Sequence, residues 1–111
     1  MKKTLLAALL SGSVAWALPE NGQVIQGQLQ MSQPNANILQ ILQSSPTGII
    51  NWGSFSIGPQ QLVQFLQPNS AAATLNRVIG QEPSQILGQL QANGRILLIN
   101  PNGILFGPGS V

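Results

Sequence analysis

Ala92-Asn93-Gly94-Arg95-Ile96-Leu97-Leu98-Ile99-Asn100-Pro101-Asn102-Gly103-Ile104-Leu105-Phe106-Gly107 reads as turn, strand, turn, strand. Asn93-Gly94 favours a turn because both residues tolerate positive φ. Ile96 to Ile99 is an apolar run rich in β-forming residues and too short for a helix. In Asn100-Pro101-Asn102-Gly103 the proline pre-sets φ at the second position. Asparagine and glycine then accept the bridge and left-handed regions that close a tight turn. The amides of Asn100 and Asn102 can bond nearby backbone groups. Ile104-Leu105-Phe106 resumes the apolar run and Gly107-Pro108-Gly109 ends it. Residue chemistry alone therefore gives a short buried strand, an asparagine turn and a second short buried strand.

The same grammar runs upstream. Val24 to Met31 alternates, with Ile25, Gly27, Leu29 and Met31 on one parity and Gln26, Gln28 and Gln30 on the other, which predicts a half-buried strand. Ser32-Gln33-Pro34-Asn35-Ala36 breaks it. Asn37 to Gln43 fits a strand or one face of a short helix. A strand is expected, because Ser44-Ser45-Pro46-Thr47-Gly48 stops the segment after one or two turns. Between Ile49 and Ile57 the apolar parity shifts near Gly53-Ser54, which calls for a bulge or bend. Val63 and Phe65 are the inward residues of Leu62 to Gln67, and Leu75 to Ile79 is a short strand carrying Arg77. Ile86, Gly88 and Leu90 alternate, predicting a strand with close backbone packing at Gly88. Many short strands with a turn about every ten residues allow a sandwich, a barrel or a solenoid. Uncharged polar residues, asparagine turns and apolar triplets favour a stack of rungs.

At 111 residues the chain holds at most one small domain. The formal charge of +2 includes Lys2 and Lys3; without them Arg77, Arg95, Glu20 and Glu82 balance to zero. With no basic patch, nucleic-acid binding is not expected. Charged residues make up 5% of the chain, against roughly 25% in ordinary soluble domains. Cysteine and histidine are absent, which excludes disulfides and thiolate or imidazole metal sites. Two carboxylates are too few for a hard-cation cage. Neither metal nor cofactor is expected. Catalysis is unsupported on the same inventory: Glu20 and Glu82 are far apart in sequence, and no residue can activate a serine. The chain is not expected to be an enzyme or to take a small-molecule substrate.

Met1-Lys2-Lys3 is a positive n-region, Thr4 to Val14 a short apolar stretch, and Ala15-Trp16-Ala17 a small-x-small cleavage site. Together they predict a cleaved secretory signal over residues 1–17, cut after Ala17, and a mature domain over 18–111. The apolar stretch is far short of the roughly 20 residues of a spanning helix.

The string Ile99-Asn100-Pro101-Asn102-Gly103-Ile104-Leu105-Phe106-Gly107 resembles the signature of the two-partner secretion domain, the amino-terminal module of filamentous-haemagglutinin-type exoproteins. Ile50-Asn51-Trp52-Gly53-Ser54-Phe55-Ser56-Ile57-Gly58, Leu75-Asn76-Arg77-Val78 and Pro83-Ser84-Gln85-Ile86-Leu87-Gly88-Gln89-Leu90 support the match in order and spacing, so that it covers nearly the whole mature chain. Gln67-Pro68-Asn69-Ser70 stands where a haemolysin-like branch carries Asn-Pro-Asn-Leu, which looks more like the adhesin-type branch.

The resemblance implies an all-β fold, a right-handed parallel β-helix with an amino-terminal β cap. It also implies a dedicated outer-membrane β-barrel transporter as partner, and secretion through the periplasm to the surface or medium of a Gram-negative bacterium or cyanobacterium. On this view Asn100, Pro101, Asn102 and Gly103 form a transporter-recognition or folding motif, with Asn51, Trp52, Phe55, Asn76 and Arg77 in support. The residues themselves also permit plainer roles. Asn100 suits a rung corner, Trp52 and Phe55 suit core or cap packing, and Arg77 suits either a partner contact or a charge that protects a strand edge. About 94 mature residues at roughly 20–25 a turn give about four rungs, so the expected solenoid is incomplete at its carboxyl end and the chain a fragment of a larger exoprotein. The competing class is a short secreted β-rich protein that assembles by itself without a transporter.

Overall fold

A computed structural model describes residues 17–110. The predicted leader, including Ala15 of the cleavage site, lies outside the described residues; Ala17 opens them and is exposed. Among the described residues every regular element is a strand: β1 (Gln23–Gln26), β2 (Leu29–Asn35), β3 (Ile38–Gln43), β4 (Thr47–Trp52), β5 (Leu62–Leu66), β6 (Ala73–Val78), β7 (Ser84–Ile86), β8 (Gln89–Ala92), β9 (Arg95–Ile99) and β10 (Ile104–Phe106).

The strands stack rather than zigzag. β3, β5 and β8 pair in parallel, as do β4, β6 and β9, and β7 pairs in parallel with β10. A lone parallel bridge, Ile57 to Ile86, extends the third stack by one level. The chain therefore winds as a parallel β-helix with three sheets as walls. β3, β4 and Ile57 make the first turn, β5, β6 and β7 the second, β8, β9 and β10 the third. Equivalent residues recur at long intervals: Gln40 and Gln64 are 24 residues apart, Gln64 and Gln91 are 27 apart. Among the described residues three turns are present instead of the expected four, because those through Asn35 form a cap. β1 lies antiparallel on β4 and β2 antiparallel on β3, closing two walls at the amino end.

In-register stacking builds columns of side chains in the bore, about 4.8 Å apart. Leu39, Val63 and Leu90 form one column and Ile41, Phe65 and Ala92 another. Ile57 and Ile86 are likewise aligned in register, with Phe106 opposite Ile86 on the next turn. Ile41, Ile57, Val63 and Phe65 are fully buried, and each such side chain contributes about 1.5–3 kcal/mol of burial. Trp52 and Phe55 meet edge to face, centroids 5.5 Å apart at 75°, the arrangement that the aromatic quadrupole favours.

The structure alters several local expectations. Val24 to Met31 is two strands, split where Gly27 adopts φ +97°; Ile25 is 51% exposed and not inward. β2 runs on through Pro34 to Asn35. Proline is tolerated there because β2 is an edge strand and its pairing is already irregular between Ser32 and Asn35. Asn37 to Gln43 does hold a strand, β3, with Gln43 turned inward. The parity slip at Gly53-Ser54 is a bend, after which Phe55 and Ile57 re-enter the core. The strand expected across Ile86 to Leu90 is broken at Leu87-Gly88, which is the corner between β7 and β8. The close packing at Gly88 is real but belongs to that corner: a Cβ there would sit 2.2 Å from the Gly58 carbonyl oxygen and 2.4 Å from that of Gln61. Arg77 does not guard an edge, since β6 lies between β4 and β9.

Candidate functional site

The asparagine corner closes the end of β9 and starts β10. Asn100 is 9% exposed, and both faces of its amide are occupied. Its Nδ2 donates to the Glu82 carbonyl at 3.0 Å and to Ser84 Oγ at 2.9 Å. Its Oδ1 accepts the Asn102 N–H and the Asn102 Nδ2, each at 2.9 Å. The first of these is a side-chain-closed turn two residues long, the shape short amides favour. The Gly103 N–H closes the same turn on the Asn100 carbonyl at 3.0 Å, and Gly103 takes φ +109°, a region that L side chains resist. The corner is also tied to the turn below it. Asn102 Nδ2 donates to the Gly80 carbonyl at 2.9 Å, and the Ser84 N–H donates to the Gly103 carbonyl at 2.9 Å.

The four residues thus divide. Asn100 spends its amide inside the protein and has none left for a partner. Pro101, Asn102 and Gly103 are exposed, and a Cβ on Gly103 would meet nothing within 4 Å. That outward lip is small, rigid and uncharged.

The supporting residues fall into two places. Trp52 and Asn76 lie in the bore, where Trp52 Nε1 donates to Asn76 Oδ1 at 2.9 Å. Asn76 Nδ2 reaches the Leu97 carbonyl at 3.3 Å, so one amide links all three turns. Phe55 packs on Trp52. Asn51 and Arg77 meet on the outer wall, Arg77 Nε donating to Asn51 Oδ1 at 3.0 Å. Neither group touches the asparagine corner by a hydrogen bond.

A second set of polar residues escaped the sequence reading. Gln43, Gln67 and Thr74 point into the bore and are buried. Thr74 Oγ1 donates to Gln43 Oε1, and Gln67 Nε2 donates to Thr74 Oγ1 and to the Arg95 carbonyl, both at 3.0 Å. Gln67 Oε1 accepts the Gly94 N–H at 2.7 Å. These amides satisfy backbone groups that the wall-to-wall corners leave unpaired. The signal was present as a repeat. Ile38-Leu39-Gln40-Ile41-Leu42-Gln43 and Leu62-Val63-Gln64-Phe65-Leu66-Gln67 align position for position, and the two strands stack in that register.

A family model described as the TPS secretion domain matches residues 15–111. A heme/hemopexin-binding protein of Haemophilus influenzae is 40% identical over 92 residues, covering 83% of this chain and 10% of that protein. The corresponding protein of Haemophilus influenzae strain Rd is 41% identical over 93 residues, covering 84% and 10%. The chain thus spans about a tenth of the length of these curated relatives. Among solved structures, the crystal structure of the HMW1 secretion domain from Haemophilus influenzae superposes with a TM-score of 0.77 at 40% identity, covering 83% of this chain and 24% of that one.

Proposed function

Because the chain belongs to the TPS secretion domain family, we propose that it is the amino-terminal secretion domain of a large exoprotein of the adhesin type, carried across the inner membrane by a signal over residues 1–17. Membership implies recognition by a transporter of the TpsB type and secretion to the cell surface or medium. In this reading Asn100 is a folding residue, and Pro101, Asn102 and Gly103 offer the lip that the transporter meets. The supporting observation is the division of the corner: a buried amide with every bonding position taken beside three exposed residues. A solenoid whose turns contact only their neighbours can fold as it emerges, turn upon turn, with the antiparallel cap as the first surface to stack on.

The test is secretion of an epitope-tagged chain from cells with and without the transporter. Signal in the medium that requires the transporter, and that Asn102→Ala lowers while the purified variant still unfolds cooperatively well above the assay temperature, supports recognition at the lip. Equal signal without the transporter refutes the reading and leaves self-assembly. That second reading is favoured by composition: charge is too scarce to discourage strands from pairing with other copies.

A further inference from the structure

The outer wall formed by β4, β6 and β9 carries an apolar row together with both arginines of the described residues. Strand register places Ile49, Leu75 and Leu97 in one outward row, with Ile99 beside it on β9. Leu97 and Ile99 are 50% and 47% exposed. Arg95 and Arg77 flank this row on its two sides, one outward level before it and one after it along the strands. Arg77 is opposite Ile99 and Arg95 opposite Ala73, so the two lie four residues apart along the strand direction and on neighbouring strands, roughly 14 Å between Cα atoms. They are the only cations among the described residues. Each uses little of its guanidinium internally: Arg77 one bond to Asn51 and Arg95 one to the Ala71 carbonyl at 2.8 Å. Neither is paired with a carboxylate among the described residues. Glu20 and Glu82 instead flank the hollow beyond β4, with Asn21 and Gln81.

In a domain so poor in charge, two arginines on either side of one apolar row form a recognisable pattern. Interface cores are apolar and enriched in arginine, and guanidinium donors left free are matched by carboxylates. We infer that this wall is the docking surface for the periplasmic part of the outer-membrane transporter, and that the partner presents an apolar strip with an acidic residue at each end. An extended segment of the form acid-x-apolar-x-acid has the required reach, since four residues of strand span about 13 Å. The inference rests on the transporter reading above and adds the surface and its chemistry. It is distinct from the asparagine lip, which carries no charge.

The experiment measures binding of the whole chain to the purified periplasmic part of its transporter, at low and high sodium chloride. Three variants are compared: Arg77→Glu/Arg95→Glu, Leu97→Ser, and Gln40→Glu/Gln91→Glu on the neighbouring wall as a charge control. Unfolding midpoints by Trp52 fluorescence establish that each variant is folded. The expected result is a loss of affinity of at least tenfold for the arginine pair, a smaller loss for Leu97→Ser, and none beyond twofold for the control. Wild-type binding should weaken with salt and that of the arginine pair should not. Binding of the folded arginine pair within twofold of wild type overturns the docking surface while leaving the transporter reading intact. Failure of the wild type to bind at any salt overturns both.

Discussion

Asn100→Ala removes the amide that holds the asparagine corner to the turn beneath it. The side chain makes two donor bonds, to Glu82 O and Ser84 Oγ, and accepts two from Asn102. Ser84 is fully buried, so its hydroxyl loses a partner that water cannot replace. A buried polar group left unsatisfied costs about 1–3 kcal/mol. The lost bond to the Glu82 carbonyl and the loosened Asx turn add about 0.5–1.5 kcal/mol each at most. The sum is about 3 kcal/mol, a large share of the roughly 5–15 kcal/mol that holds a small domain. In Asn102→Ala the exposed Asn102 side chain loses its bonds to Gly80 and Asn100, for about 1 kcal/mol.

Urea unfolding is the assay. Trp52 is 1% exposed and is the only tryptophan after residue 16, so its fluorescence reports the bore. With a slope near 1.5 kcal/mol per molar, Asn100→Ala should lower the midpoint by about 2 M and Asn102→Ala by well under 1 M. Asn100→Asp should do no better than alanine, because it keeps the acceptor oxygens but puts a carboxylate against the Glu82 carbonyl. A midpoint for Asn100→Ala within 0.3 M (~0.5 kcal/mol) of wild type would falsify the assignment of Asn100 to folding.

The bore glutamines should outweigh those on the walls: Gln67→Leu strands the Gly94 N–H, the Arg95 carbonyl and Thr74 and should cost about 2–4 kcal/mol, whereas Gln64→Leu on the outer row should cost under about 1 kcal/mol; equal midpoints in urea for the two variants would refute the bore network. Gly88→Ala drives a methyl into two backbone carbonyls and should destabilise by about 3 kcal/mol or more, read as a lowered melting temperature. An unchanged melting temperature would mean that the β7–β8 corner relaxes freely.

The turn residues carried most of what could be read locally. Asn93-Gly94, Asn100 to Gly103 and the alternating runs around Val63 and Phe65 mark turns and strands through φ preferences and period-two burial, which depend on a few adjacent residues. The signature around Asn100 is likewise local, and it points to the family by itself. Other features lay out of reach. Which strands pair was decided by contacts 24 and 27 residues apart, so the antiparallel cap and the count of three turns could not be read from local pattern. The inward glutamines escaped the sequence reading for the same reason. A glutamine at the end of an apolar run reads as solvent-facing until the walls are assembled and corner backbone groups appear with no water to bond. Within the asparagine motif the sequence alone determined that a tight turn would form. Only the stacking of that turn on Gly80 to Ser84 decided that Asn100 is buried and Asn102 is not, because burial of a side chain is a property of what the chain brings to rest against it.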